Sequence, residues 1–86
     1  MEKEVMLVMV MKRQEEAVKV QEALTKYGCV IKTRLGLHES ASEKCENDCG
    51  LIILELTGDK KKRLELEKQL KKIKGTNVKS IMMKCK

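Results

Sequence analysis

Apolar positions along the chain fall into blocks, and the spacing changes from block to block. Glu4–Met11 (EVMLVMVM) is apolar at both odd and even positions, which predicts a short strand covered on both faces. After Lys12–Arg13 the spacing lengthens. Ala17, Val20, Leu24 and Tyr27 recur at three- and four-residue steps and form one helical stripe, with Gly28 expected to stop the helix as its C′ glycine. Val30–His38 (VIKTRLGLH) alternates: Ile31, Thr33, Leu35 and Leu37 point one way, and Lys32, Arg34 and His38 the other, as in a half-exposed strand. Glu39–Asp48 (ESASEKCEND) is a polar loop, and Leu51–Thr57 (LIILELT) is a second doubly apolar strand. Gly58–Asp59 breaks that strand, with Asp59 placed to cap a helix over Lys60–Lys74 that carries Leu66, Leu70 and Ile73 on one face and a Glu67→Lys71 pair on another. Gly75 ends this helix and Val78–Cys85 (VKSIMMKC) is the last strand.

The order β-α-β-β-α-β with short connections predicts an α+β fold, the ferredoxin-like βαββαβ sandwich. Residues 1–86 form one domain, a four-stranded antiparallel sheet of order 4-1-3-2 with two helices on one face. Two helices cover one face only, so the other face of a monomer should be polar. The central strands do not alternate. Val5, Leu7, Met9 and Met11 oppose Met6, Val8 and Val10, and Ile52, Leu54 and Leu56 oppose Leu51 and Ile53. Whichever parity meets the helices, an apolar patch is left over, and soluble monomers rarely expose one beyond about 300–600 Å². The expectation is a homo-oligomer, dimer or tetramer, in which a second protomer covers the open face and a charge at Ile53 breaks assembly. The alternative is that central strands are simply rich in β-forming residues.

Composition narrows the class. The chain has 86 residues, 42% hydrophobic and 37% charged, with no proline, which excludes a disordered or collagen-like chain. No apolar run approaches the roughly twenty residues of a membrane span, and no signal peptide is evident, so the expectation is a cytoplasmic protein with no membrane partner. The net charge is +6. It is uneven: residues 1–58 carry 8 basic and 10 acidic side chains, residues 59–86 carry 11 basic and 3 acidic. The basic second helix can be a solvated face or a non-specific nucleic-acid surface. Sheet-based RNA readers stack bases on aromatic side chains of the central strands. This chain has none there, so nucleic acid is the lesser expectation.

The four cysteines, without a secretory segment, are expected as free thiols or as metal or redox groups. The topology puts His38, Cys45 and Cys49 at one end of the sheet beside Lys12 and Arg13, and Cys29 and Cys85 at the other. Thiolates and imidazole suit a divalent transition metal such as zinc, nickel or iron. A candidate site is therefore His38, Cys45 and Cys49, completed by Glu39, Glu43, Glu46 or Asp48 or by a neighbouring protomer. The plainer reading is a loop with two ordinary thiols, and a Cys45–Cys49 redox disulfide is a third. Six methionines could take copper(I), or serve as core filler in a chain without Phe or Trp. His38 is placed on the open face of the edge strand together with Lys32 and Arg34. Lys12, Arg13, Lys32, Arg34 and Ile53 are the candidate ligand and interface residues.

Ile31-Lys-Thr-Arg-Leu-Gly-Leu-His-Glu39, a polar loop with cysteine, Gly50-Leu-Ile-Ile-Leu-Glu-Leu-Thr-Gly58, and Leu70-x-x-Ile73-x-Gly75-x-x-Val78-Lys79 together resemble the family of regulators of the iron-only hydrogenase system. That family is similar to ACT-like domains and to the C-terminal sensor domain of nickel-responsive repressors. The resemblance covers nearly the whole chain. It implies a ferredoxin-like fold, oligomerisation, and regulation linked to a small-molecule ligand or to another regulatory protein. The nickel sensors use a His-x-His pair on the second strand and a later cysteine. His38 and Cys45 or Cys49 would correspond here, but position 36 is Gly. The repressors' DNA-binding arm has no counterpart before the first strand.

No enzyme is expected. An acylphosphatase of this fold needs a Gly-rich anion cradle after the first strand, where this chain has Met11-Lys-Arg-Gln14. Metal chaperones of this fold carry C-x-x-C there, which is also absent. No Cys–His pair with an orienting third group is identifiable. The reading is a small oligomeric regulatory or ligand-sensing domain, with non-specific nucleic-acid binding as the alternative.

Overall fold

The computed structural model describes residues 2–11, 14–37 and 49–84, and for Gln14, Glu15, Leu37 and Cys49 it describes the backbone alone. Strand β1 (Glu2–Met11) leads into helix α1 (Gln14–Lys26), a 3-10 turn (Gly28–Val30) and strand β2 (Ile31–Leu37). Strand β3 (Cys49–Leu56), helix α2 (Lys60–Lys71) and strand β4 (Thr76–Lys84) complete the chain. The sheet order is β2-β3-β1-β4, and all three pairings are antiparallel. This is the ferredoxin-like arrangement expected from the order of elements.

One parity of each central strand meets the helices. Met6, Val8 and Val10 of β1 and Ile52, Leu54 and Leu56 of β3 are buried, together with Val20, Leu24 and Tyr27 from the α1 segment and Leu66 and Leu70 from α2. Among the described residues, thirteen buried hydrophobic residues form one cluster, with Ala23, Ile31 and Ile73 packed against it. Burying each large side chain of this kind is worth about 1.5–3 kcal/mol, so the single layer between helices and sheet carries most of the stability. At the margin of this layer, Arg63 Nη1 donates to Glu4 Oε1 at 2.8 Å and ties α2 to β1.

The helix ends differ from each other. Asp59 caps α2 as expected, its carboxylate accepting from the Lys61 N–H at 3.0 Å. Helix α2 ends at Lys71, short of the expected Lys74, and a turn separates it from Gly75, whose φ of 80° is left-handed. That of Gly28 is not. Positive φ among the described residues occurs at Gly58 and Gly75 only. Helix α1 instead runs into the 3-10 turn, with Tyr27 N–H donating to Ala23 and Val30 N–H to Tyr27. Burial of Tyr27 and Val30 on both sides of Gly28 sets this exit, so tertiary packing overrides the glycine signal.

Candidate functional site

The residues of β1 and β3 that do not meet the helices build the second surface. Val5, Leu7, Met9 and Met11 stand opposite Glu55, Ile53, Leu51 and Cys49 across β1–β3. Ile53 is half-buried and lies on this open face, as expected. The edge strands extend the surface. Leu35 pairs with Ile53, Ile81 with Val5 and Met83 with Lys3. Exposure of these side chains is high: Met9 45%, Met11 47%, Leu35 52%, Ile81 45% and Met83 57%. The result is an apolar patch spanning all four strands, on the side away from both helices.

Polar groups frame that patch. Lys3 Nζ lies 3.2 Å from Glu55 Oε2, and Thr33 Oγ1 donates to Glu55 Oε1 at 3.1 Å. The Lys3 hydrogen bond, then that of Thr33, holds the Glu55 carboxyl below the usual glutamate value, and the charges of Lys3 and Lys32 add to this. Lys79 and Asn77 of β4 share the face, opposite Leu7 and Met9.

The pairing of β2 corrects the expected direction of Arg34. The register slips between Ile31 and Thr33, a bulge at Lys32. Ile31 therefore packs on the core while Thr33 and Leu35 face the open side, and Arg34 pairs with buried Leu54 on the helix side. Its guanidinium donates to Gln21 Oε1 of α1. A one-residue bulge re-aims the strand after it, and simple alternation across Val30–His38 cannot see this.

Gln21 also lines a small cleft. Val10, Met11, Ala17, Val20, Gln21, Gly50 and Ile52 enclose about 150 Å³ between α1 and the sheet. Gly50 and Gly36 pair with Val10 and Ile52, and a Cβ added at either would meet nothing within 4 Å. The missing side chain at Gly50 leaves apolar space beneath α1, and Arg34 meets its margin through the hydrogen bond to Gln21. The sequence signal for this cleft is Gly50, a glycine within strand β3. A second groove of about 420 Å³ lies between the helices, its lining including Lys19, Lys26, Lys72 and Lys74 together with Glu22 and Ile73.

The remaining candidates are only partly placed. Lys12, Arg13, His38 and Cys45 lie outside the described residues, as do Cys85 and the side chain of Cys49. The backbone of Cys49 stands opposite Met11, and Leu37 opposite Leu51, so the end of β1, the end of β2 and the start of β3 share one end of the sheet. Among the described residues, no group of three His, Cys, Asp or Glu side chains could hold a metal ion. Cys29 is a free, exposed thiol. No helix among the described residues is long and apolar enough to cross a membrane.

No protein-family model and no curated protein matches the chain. Solved structures do. An uncharacterized protein from Thermotoga maritima superposes with a TM-score of 0.80 at 24% identity, covering 98% of this chain and all of that one. A dimeric ferredoxin-like protein of unknown function from Thermobifida fusca matches with a TM-score of 0.50 at 9% identity, over 94% of this chain and 90% of that one. A protein from Thermus thermophilus, described as PII-like and signaling, matches with a TM-score of 0.52 at 11% identity, over 95% of this chain and 88% of that one. At these identities the likeness is one of fold.

Proposed function

We propose that this chain is a small, non-catalytic regulatory domain that works as a homo-oligomer, with the open sheet face as its self-association surface. The observation that carries the reading is the apolar patch across four strands, from Leu35 through Ile53 and Leu7 to Ile81, on the side no helix covers. A face of this kind in water is unfavourable until a second apolar surface meets it, at roughly 25 cal/mol per Å² removed from water. The resemblance of the Ile31–Glu39 and Gly50–Gly58 segments to hydrogenase-system regulators supports the regulatory part, as does the signaling protein among the fold neighbours. A dimeric protein of similar fold supports the association.

The cleft under α1 is the proposed ligand site. Its walls are apolar apart from Gln21, which accepts from Arg34, so it fits a small ligand with an apolar body and one polar group. In solution the protein is expected to elute as a dimer or larger. Ile53→Glu should dissociate it before it unfolds the protomer, as read by light scattering and circular dichroism on one sample. An Ile53→Glu variant with unchanged mass would reject the face as the interface.

The four lysines lining the inter-helix groove favour a second reading, contact with nucleic-acid phosphates. That reading predicts binding of duplex DNA that weakens steeply between about 50 and 200 mM salt. No retention on DNA at the lower salt would remove it.

A further inference from the structure

Gly50 is a glycine that the backbone does not require. It lies inside β3, paired with Val10, and positive φ among the described residues occurs at Gly58 and Gly75 only. A Cβ added at Gly50 would meet nothing within 4 Å, so no close approach demands its absence. A glycine inside a strand weakens it, through backbone entropy and the side chain it does not pack. What Gly50 does is keep open the cleft of about 150 Å³ beneath α1. The buried Val10, Val20 and Ile52 lie at the inner end of this cleft, and the exposed Met11 and Gln21 at its mouth. An apolar cavity of about that volume holds a molecule the size of benzene.

We propose that this cleft takes an uncharged, compact apolar molecule of about six or seven non-hydrogen atoms with one hydrogen-bond acceptor, a carbonyl oxygen above all. Size follows from the volume, and polarity follows from Gln21, the polar side chain among the lining residues. Arginine only donates, so the Arg34 guanidinium holds the Gln21 amide with Oε1 toward itself. That leaves Nε2, with two N–H donors, as the group Gln21 can offer a ligand, and an N–H donor asks for an acceptor. The positive charge beside Oε1 disfavours a ligand ammonium there. Among the described residues lining the cleft none is charged, so a carboxylate would lose its water without a facing partner. The specificity is thus set by three elements: β3 supplies the space, α1 the donor, and β2 the arginine that orients it.

This inference rests on the reading of the cleft as the ligand site, and the two can fail separately. Cyclohexanone titrated into the full chain should shift the methyl signals of Val20 and Ile52 saturably in nuclear magnetic resonance. Cyclohexylammonium and cyclobutanecarboxylate are of similar size but charged, and should bind at least about tenfold more weakly. Gln21→Glu keeps an acceptor for Arg34 but has no N–H, and should weaken cyclohexanone about fivefold. Gly50→Val fills the space, so it should abolish the shifts and raise the thermal midpoint by about 4 °C, as a strand loses its glycine. Charged probes that bind as tightly as cyclohexanone, or a Gln21→Glu variant that binds cyclohexanone at full strength, overturn the ligand class and leave the cleft as a site. If none of the probes moves those methyl signals, or if the shifts persist in Gly50→Val, the cleft is not the site and both readings fall.

Discussion

Glu55 shows how a single side chain frames the apolar face. It sits between Lys3 and Thr33, and the first of these hydrogen bonds does most to lower its pKa. A carboxyl whose folded pKa lies below its unfolded value adds stability above the unfolded pKa and loses it as pH falls through the folded one. Stability should therefore drop as pH moves below the ordinary glutamate range. In a Lys3→Met variant the Glu55 titration, followed by nuclear magnetic resonance, should move upward toward that range. An unmoved titration would show that Lys3 does not hold the carboxylate. The Arg63–Glu4 pair belongs to the same scale but is better shielded, with 18% and 12% side-chain exposure. Removing Arg63 leaves a carboxylate without its partner at the margin of the core, so Arg63→Met should cost about 1–3 kcal/mol in urea unfolding. A Glu4→Gln, Arg63→Met double variant should cost less than the two singles combined. Neither contact was legible in the sequence. Glu4 and Arg63 are 59 residues apart, and Lys3 and Glu55 meet only through the β1–β3 register.

Elements were legible where local chemistry and packing agree. The Asp59 cap was readable because the carboxylate acts on an N–H two residues away, and the i,i+4 pair Glu67–Lys71 forms at 2.9 Å for the same local reason. Asp59→Ala should lower stability by about 1 kcal/mol by thermal unfolding, since the first turn of α2 loses its acceptor. Gly58 has φ 81°, so Gly58→Ala should cost about 1–2 kcal/mol although Val30 Cγ1 at 3.7 Å leaves room for the methyl. Where distant contacts decide, local reading failed. The expected C′ role of Gly28 gave way to the burial of Tyr27 and Val30. The expected direction of Arg34 gave way to a bulge set by pairing with β3. The cleft at Gly50 also needed the register, because only pairing with Val10 places this glycine on the helix side of the sheet.

At the scale of the molecule, the order of elements and the doubly apolar central strands sufficed to place the core on one face and the left-over patch on the other. That placement follows from counting faces: two helices cover one side of four strands. The central claim is that the uncovered side is a contact between copies. The most direct measurement is the mass of the wild-type protein by light scattering at micromolar concentration, coupled to size exclusion. The account predicts a species of two or more 9.9 kDa chains that persists on dilution through the micromolar range. A monodisperse monomer of that single-chain mass, stable and soluble with its apolar face in water, would contradict it.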